Sequence, residues 1–308
     1  MLRLTLLKAA QSQRVRRLVT SAPGSRSLVG RFVVGETLEE AVQATCGLVG
    51  EGFAVTLDHL GEDTLDEAQA AATRDTYVAL LDRLGELGLA AQTEVSLKLS
   101  TVGQALPHDG HRIALDNART VCAAAQRAGT TVTMDMEDHT TVDSTLAIVG
   151  ELRDDFPWTG AVLQSCLRRT EADCRDLAHA ASRVRLVKGA YAESASVAYP
   201  AKADVDLAYV RCLKILMAGE DYPMVASHDP RMVEIAGALA KQYGRAPGSY
   251  EYQMLHGIRA SEQRRLVATG ERVRVYVPYG QDWYGYFMRR LAERPANVGF
   301  FLRSIVSR

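Results

Sequence analysis

Short apolar runs alternate with longer segments of helical periodicity along most of this chain. The apolar runs are mostly continuous, which is typical of strands that are buried on both faces of a parallel sheet. Eight such units within 308 residues, with no linker between two halves, predict an α/β protein with a single (βα)8 TIM-type barrel. A doubly wound open sheet is the alternative. The predicted strands are 53–57, 93–99, 131–136, 161–164, 184–187, 224–227, 250–255 and 272–277.

Helical segments lie between and before these strands. Two of them, 3–18 and 38–50, precede the barrel as additional N-terminal helices. We therefore expect a basic helical segment at 1–35, followed by one barrel domain at 36–308. The remaining predicted helices are 64–87, 115–128, 141–156, 171–182, 204–217, 230–243, 261–269 and 283–293.

Charge is distributed unevenly between the N-terminal segment and the rest of the chain. Lys and Arg total 36 and Asp and Glu total 37, so no global basic field favours nucleic acid. Before Glu36, however, there are seven basic residues and no acidic residue. A transit peptide, a helix resting on anionic lipid and a solvated helix all fit this pattern. No apolar run reaches the roughly 18 to 20 residues of a spanning helix, so we expect no membrane crossing.

The five cysteines are odd in number and form no Cys-x-x-Cys pair. The spacing indicates reduced cytosolic thiols, with neither a disulfide framework nor a metal site. The chain also lacks a Gly-x-Gly-x-x-Gly fingerprint, a P-loop and a Gly-x-Ser-x-Gly elbow. Any dinucleotide must therefore be held without the Rossmann fingerprint.

Polar residues end nearly every predicted strand, and in a (βα)8 barrel these strand ends form the active site. Lys98 is flanked by leucines, and Asp135 on the neighbouring strand is its expected partner in a structural ion pair. Arg185 and Lys188 precede a glycine that lets backbone approach a flavin or a phosphate. Lys188 also fits the nucleophile of a Schiff-base aldolase or lyase. His228 is either a hydrogen-bonded core residue or a ligand.

Four polar side chains of the last predicted helix lie on one face. Tyr286, Arg289, Arg290 and Glu293 are spaced at i, i+3, i+4 and i+7, and so share one face. Guanidinium groups suit bidentate recognition of a carboxylate or a phosphate. An exposed amphipathic face with an Arg289–Glu293 pair is the simpler alternative.

The order and spacing of these segments resemble proline dehydrogenases of the monofunctional bacterial type. The resemblance runs from about residue 38 to residue 301. It rests on eight motifs: VSLKLS at 95–100, MDME at 134–137, LQ at 163–164, RLVKGAY at 185–191, SH at 227–228, YEYQML at 250–255, RVYVPYG at 274–280 and YFMRRLAE at 286–293.

This resemblance implies a distorted (βα)8 barrel that holds FAD and oxidises L-proline to Δ1-pyrroline-5-carboxylate. Electrons would pass to membrane quinone, and a separate pyrroline-5-carboxylate dehydrogenase would consume the product. It further implies a cytoplasmic enzyme in peripheral contact with the inner face of the membrane. No nucleic-acid-binding module is visible, so a DNA-binding role would depend on the N-terminal arginines alone.

Roles for individual residues follow from the same resemblance. Arg289, Arg290 and Lys98 would grip the substrate carboxylate, and Asp135 would pair with these cations. The pyrrolidine ring would be walled by Tyr276, Tyr286, Tyr191, Ala190 and Leu255. The flavin ring system would be contacted by Gln164, Arg185, Lys188 and Gly189, and the rest of FAD by Ser227, His228 and Glu293.

Three positions depart from the family pattern. Cys166 stands where Tyr is common, so packing near the fourth strand differs from that of the family. Ser227 and Asp229 stand where Thr and Asn are usual, which affects the expected contacts to the outer part of FAD. None of the three belongs to the proposed substrate clamp.

Overall fold

The structure is a computed structural model that describes residues 29–61, 63–179 and 182–293. For residues 292 and 293 it describes the backbone alone. Eight parallel strands close into a barrel in the order β1 to β8, because β8 pairs with β1. The predicted barrel is thereby confirmed over the open sheet. The strands are β1 Ala54–His59, β2 Thr93–Leu97, β3 Thr131–Met134, β4 Gly160–Gln164, β5 Arg183–Val187, β6 Tyr222–Ala226, β7 Glu251–Leu255 and β8 Val273–Tyr279.

Within the described residues, one helix of the barrel domain precedes β1, and every strand is followed by a helix. The helices are α1 Leu38–Gly50, α2 Glu67–Glu86, α3 Gly110–Ala128, α4 Val142–Asp155, α5 Thr170–Leu177, α6 Lys202–Ala218, α7 Pro230–Gln242, α8 Ala260–Ala268 and α9 Trp283–Glu293. Short 3-10 turns cover Ala90–Gln92 and Leu99–Val102. The additional helix predicted at 38–50 is confirmed. The one predicted at 3–18 lies outside the described residues, and the domain boundary after residue 35 stays a prediction.

Local sequence explains where several helices begin and end. Thr37 caps α1 in a capping box, because its hydroxyl accepts from the Glu40 amide and the Glu40 carboxylate accepts from the Thr37 amide. Asp229 caps α7, and Pro230 occupies the first turn, where no amide hydrogen is needed. Gly129 ends α3 with φ +82°, a conformation that strongly favours glycine.

The main apolar core lies between the barrel and the helices. Outward-facing strand residues such as Val55, Leu97, Leu186 and Val275 are buried there against the helix layer. The alternate strand positions face the barrel interior, and many of them are polar. The strands therefore alternate in polarity, although the sequence suggested continuous apolar runs.

Polar residues inside the barrel form two groups. The lower charge layer, near the amino ends of the strands, contains Glu94, Arg183, Glu251 and Arg274. The upper pocket, near the carboxyl ends, contains Asp58, Lys98, Asp135, Arg185 and Tyr276. The register of β1 against β2 supports this division. Thr56 pairs with Glu94, and Asp58 pairs with Ser96 two residues closer to the carboxyl ends.

A second apolar cluster joins the start of the described chain to α9. Val29, Phe32 and Val33 pack with Trp283 and Phe287. The Val34 amide donates to the Pro278 carbonyl, and the Gly280 amide donates to the Gly35 carbonyl. This cluster fixes α9 at the carboxyl end of the barrel.

No disulfide joins any of the five cysteines. Across the described part of the chain, no cluster of His, Cys, Asp and Glu side chains is suited to a metal ion. None of the helices described there is long and apolar enough to cross a bilayer.

Candidate active site

Asp135 is the centre of the hydrogen-bond network in the upper pocket. Its Oδ1 accepts from Ser96 Oγ at 2.7 Å and from Arg185 Nη1 at 2.7 Å, and its Oδ2 accepts from the Tyr276 hydroxyl at 2.7 Å. Burial, reinforced by the Asp135 carboxylate, raises the pKa of Tyr276 well above its usual value. Tyr276 therefore stays protonated and acts as a hydrogen-bond donor.

The sequence suggested Lys98 as the ion-pair partner of Asp135, and the structure corrects this. The partner is Arg185, which lies across the barrel and 50 residues along the chain. Asp135 accordingly neutralises Arg185, whereas we expected it to pair with Lys98 and the cations of α9. Strand closure brings these two residues together, and spacing along the sequence does not reveal such a pair.

Arg185 is buried at 3% exposure and is held by two carboxylates. Its Nη2 donates to Glu94 at 2.8 Å, and its Nη1 donates to Asp135 at 2.7 Å and to Ser96 Oγ at 2.8 Å. The guanidinium carbon lies 5.4 Å from the centroid of the Tyr276 ring. Among the described residues, its buried Nε has no hydrogen-bond acceptor. A buried donor without an acceptor is costly unless a ligand supplies one.

Lys98 follows β2 and is half-buried. Within the described ranges, no carboxylate lies within 4 Å of its ammonium. It does act on the buried carboxyl groups around it, because its charge opposes the effect of burial on the pKa of Asp58 and of Glu137. Burial still raises the pKa of both carboxyl groups.

Asp58 and Glu94 are site residues that sequence reasoning missed. Asp58 is 1% exposed at the end of β1. A hydrogen bond from the Tyr276 hydroxyl opposes the effect of burial on its pKa, and the Tyr77 hydroxyl donates to it at 3.5 Å. That hydroxyl lies closer, at 2.8 Å, to the Ser96 carbonyl. The available signal was a polar residue at alternate positions of a strand, as in Glu94-x-Ser96-x-Lys98.

Helix α9 carries the predicted cationic face. The Arg290 guanidinium lies 5.1 Å from the centroid of the Tyr286 ring, in cation–π geometry. Burial raises the pKa of the Tyr191 hydroxyl, and the nearby Arg289 charge opposes this rise. Tyr191, in the loop after β5, therefore lies beside the helix. The Glu293 side chain lies outside the described residues.

After β5, the backbone at Gly189 packs closely against residues that follow β4. Gly189 has φ +103°, and an added Cβ would collide with the Cys166 sulfur. Gln164 lies beside it, and its amide nitrogen donates to the Glu137 carbonyl at 2.7 Å. Ala190 follows in the same half-buried loop. The small residue at 166 thus leaves room for the loop that also holds Tyr191.

Lys188 is placed apart from the upper pocket. Its ammonium donates to Asp206 at 2.6 Å and to Asp229 at 3.0 Å, and Arg231 pairs with both carboxylates at 3.0 Å. Asp229, one of the departures from the family pattern, is thus neutralised by its neighbours. These ion pairs occupy the amine that a Schiff-base nucleophile needs free. The aldolase alternative is therefore not favoured.

His228 is anchored between β6 and β7. Its Nε2 accepts from the Leu255 amide at 2.9 Å, so Nδ1 carries the proton of the neutral ring. The His228 carbonyl accepts from Arg259 at 2.7 Å. Ser227 is buried, and its hydroxyl accepts from the Asp229 amide at 3.2 Å. Both residues lie at the carboxyl end of β6, next to the Lys188 ion pairs.

The residues present fit a flavin nucleotide. Arg185 offers a buried donor that lacks an acceptor, and the Gly189 backbone lies so close to Cys166 and Gln164 that a Cβ has no room. Positive charge and hydrogen bonds near the ring nitrogens are the means by which proteins tune flavins. The predicted flavin residues Gln164, Arg185 and Gly189 lie together around this point.

Comparisons with known proteins agree with this geometry. Residues 41–303 match the family model described as proline dehydrogenase. The chain is 41% identical to a proline dehydrogenase of Deinococcus radiodurans, over 91% of this chain and 90% of that protein. It is 36% identical to proline dehydrogenase 1 of Bacillus subtilis over the full length of both.

A solved structure shows the same fold. Proline utilization A from Bdellovibrio bacteriovorus, inactivated by N-propargylglycine, matches with a TM-score of 0.82 and 26% identity. The match covers 92% of this chain and 34% of that longer protein. Together with the family match over residues 41–303, these similarities show that the chain belongs to the proline dehydrogenase family.

Proposed function

We propose that this protein oxidises L-proline to Δ1-pyrroline-5-carboxylate with FAD as its resident cofactor. The observation that carries the proposal is the upper pocket, where buried Arg185 keeps one donor without an acceptor beside Asp135 and Tyr276. Family membership supports the substrate, since the relatives at 36 to 41% identity are named proline dehydrogenases.

Three cations would bind the substrate carboxylate. Arg289 and Arg290 stand on consecutive positions of α9, and Lys98 enters from the end of β2. For Lys98 and Arg289, the described residues provide no carboxylate within 4 Å, so their charge is available to an anionic ligand. Charge-assisted hydrogen bonds are among the stronger polar contacts in proteins.

Aromatic and small side chains would enclose the pyrrolidine ring. Tyr286 is 6% exposed and is fixed by the apolar cluster of α9, and Tyr191 lies near Arg289. Tyr276 is held by Asp135, and Ala190 and Leu255 complete the wall. Tyrosine suits this position because its ring face is apolar while its hydroxyl hydrogen-bonds. A rigid small substrate held in this way reacts from one orientation.

When bound, FAD supplies the hydride acceptor for the ring carbon next to the proline nitrogen. Arg185, Gln164 and Gly189 would contact its ring system. Lys188, which we also expected there, is held by its ion pairs with Asp206 and Asp229. Ser227, His228 and Glu293 would contact the rest of the nucleotide. The substrate amine must be unprotonated so that its lone pair assists hydride loss. Exclusion of water by the aromatic wall favours the neutral amine, because burial disfavours charge.

The electron acceptor and the membrane contact extend this proposal. Electrons would leave to membrane quinone, and a separate pyrroline-5-carboxylate dehydrogenase would consume the product. The protein would then act in the cytoplasm at the inner face of the membrane, with the basic residues before Glu36 facing anionic lipid. Vesicle sedimentation tests this contact, and a variant lacking the first 20 residues should sediment less with anionic vesicles.

One visible spectrum tests the function. The purified protein should show flavin absorbance that bleaches on anaerobic addition of L-proline. D-proline, which places the carboxylate on the opposite face of the ring, serves as the control and should bleach it far less. A colourless protein, or flavin bands that L-proline leaves unchanged, would contradict the proposal.

A further inference from the structure

Two glutamates of the lower charge layer form a matched pair in the barrel interior. Glu94 and Glu251 are each 0% exposed, and each lies within 4 Å of Arg274. Burial acts to raise the pKa of both carboxyl groups, but the surrounding arginines outweigh it and lower both values. Both are therefore ionised, structurally compensated carboxylates.

Only Glu94 also reaches the upper pocket. Its Oε1 accepts from Arg185 Nη2 at 2.8 Å and from the Thr56 hydroxyl at 2.7 Å. Its Oε2 accepts from Arg183 Nη2 at 2.8 Å. The Arg185 guanidinium thus lies between Glu94 below and Asp135 above, with each terminal nitrogen bound to a different carboxylate.

Glu251 lacks this link. Its carboxylate accepts from Arg274, Arg272, Gln253 and the Tyr222 hydroxyl at 2.6 to 3.2 Å. Every one of these donors belongs to the lower half of the barrel. Within the described residues, none of the contacts of Glu251 involves Arg185.

We propose that Glu94 is a positioning residue that fixes Arg185 for its contact with the flavin. This inference rests on the proposed function. An arginine side chain has many rotamers, and a donor helps a bound group most when it is already held in place. Asp135 alone would bind one terminal nitrogen and leave the guanidinium free to turn about that contact. Glu94 binds the other terminal nitrogen and so fixes the plane of the guanidinium.

Glu94→Gln and Glu251→Gln separate this role from a structural one. Both variants should lower the urea midpoint of unfolding by similar amounts. Only Glu94→Gln should weaken flavin binding in reconstitution titrations several-fold. It should also lower the equilibrium constant for two-electron flavin reduction about tenfold, which corresponds to a potential about 30 mV lower.

The sign of the potential shift is decisive. Removing a negative charge by itself favours the reduced, more negative flavin and raises the potential, whereas a displaced Arg185 lowers it. An unchanged or raised potential in Glu94→Gln would therefore overturn the inference. So would a lowered potential of equal size in Glu251→Gln.

Double variants that remove a carboxylate together with an arginine partner test the same role if the single variants fail to fold. Glu94→Gln with Arg183→Gln, and Glu251→Gln with Arg272→Gln, each remove one carboxylate together with one of its arginine partners. The lowered potential should persist in the first pair and be absent from the second. If wild-type protein binds no flavin, the proposed function is wrong. If wild-type flavin bleaches with proline but the two pairs behave alike, only the role of Glu94 is wrong.

Discussion

The lower charge layer and the upper pocket share one barrel interior, yet their charges are compensated to different degrees. In the lower layer, Glu94 and Glu251 each bind more than one arginine, and Arg274 also donates to the Val55 carbonyl. In the upper pocket, Lys98 has no carboxylate within 4 Å among the residues described. Asp58 shares the Tyr276 hydroxyl with Asp135 and accepts from the Tyr77 hydroxyl only at 3.5 Å. A buried charge that keeps its counter-charges is costly only when one of them is removed, whereas a charge without a counter-charge is available to a ligand.

The largest expected effect concerns stability in the lower layer. Glu251→Ala leaves buried Arg274 without its closest counter-charge and should cost about 3 to 5 kcal/mol of the free energy of unfolding. Lys98→Met in the upper pocket should cost under about 1 kcal/mol, because no buried partner loses its ion pair. Urea unfolding of both variants measures the difference, and equal losses would remove the distinction between the two groups.

The second effect concerns the proposed binding of the substrate carboxylate by α9. Arg290→Met should raise the KM for proline about 10- to 100-fold and lower kcat less, since a charge-assisted contact contributes about 1.5 to 3 kcal/mol. Steady-state kinetics with proline checks this. Arg264→Met, on an exposed pair with Glu51, is the matched control and should leave KM unchanged. An unchanged KM in Arg290→Met would reject its role in the clamp.

The third effect uses pH to contrast carboxylates of the two groups. Burial raises the pKa of Asp58, so its contribution to stability is present at low pH and is lost as pH rises through the folded pKa. Asp58→Asn should therefore stabilise the protein at pH 8 by about 1 to 3 kcal/mol and do so less at pH 5. Thermal unfolding at both pH values measures this gain, and a destabilised variant at pH 8 would contradict it.

Glu251 should show the opposite dependence. Its pKa is lowered in the fold, because its arginine partners outweigh burial, so its contribution is present above the unfolded value of about 4.5 and is lost as pH falls. The destabilisation caused by Glu251→Gln should accordingly shrink in acid. The same pair of thermal unfolding experiments, extended to pH 4, provides the measurement.

The smallest effect is expected on the surface. Arg264→Ala removes an ion pair with Glu51 in which both side chains are exposed. Solvent screens such pairs, so the urea midpoint should match that of the wild-type protein within error. A clear shift would mean that this contact stabilises α8. The exposed pair could then no longer serve as the reference for the stability effects of the buried charges.

The sequence predicted the barrel well because each strand and helix has its own local signal. Helices 38–50 and 283–293 were placed at their observed bounds, and the eight strands differ from prediction mainly at their ends. The polar barrel interior was missed, because single charged residues such as Glu94 and Arg274 were counted within apolar runs. A stricter test for alternation along each strand would have found them.

The site was predicted in composition but not in pairing. The candidates Asp135, Arg185 and Tyr276 do lie together, and Tyr191 lies near Arg289. Asp135 pairs with Arg185 and not with Lys98 because of the strand register across the barrel. This pairing also depends on the height along the barrel axis at which each side chain leaves its strand. The direction of Lys188, toward the helix layer, likewise depends on which strand face it occupies.

The segment 29–35 has a mechanical consequence for α9. It packs on α9, its backbone bonds to the end of β8, and its Arg31 carbonyl occupies the space that a side chain at Gly257 would need. The helix that carries Arg289 and Arg290 is thus held through the same short stretch of chain. A force on that stretch would therefore be transmitted to the helix of the proposed substrate-binding arginines.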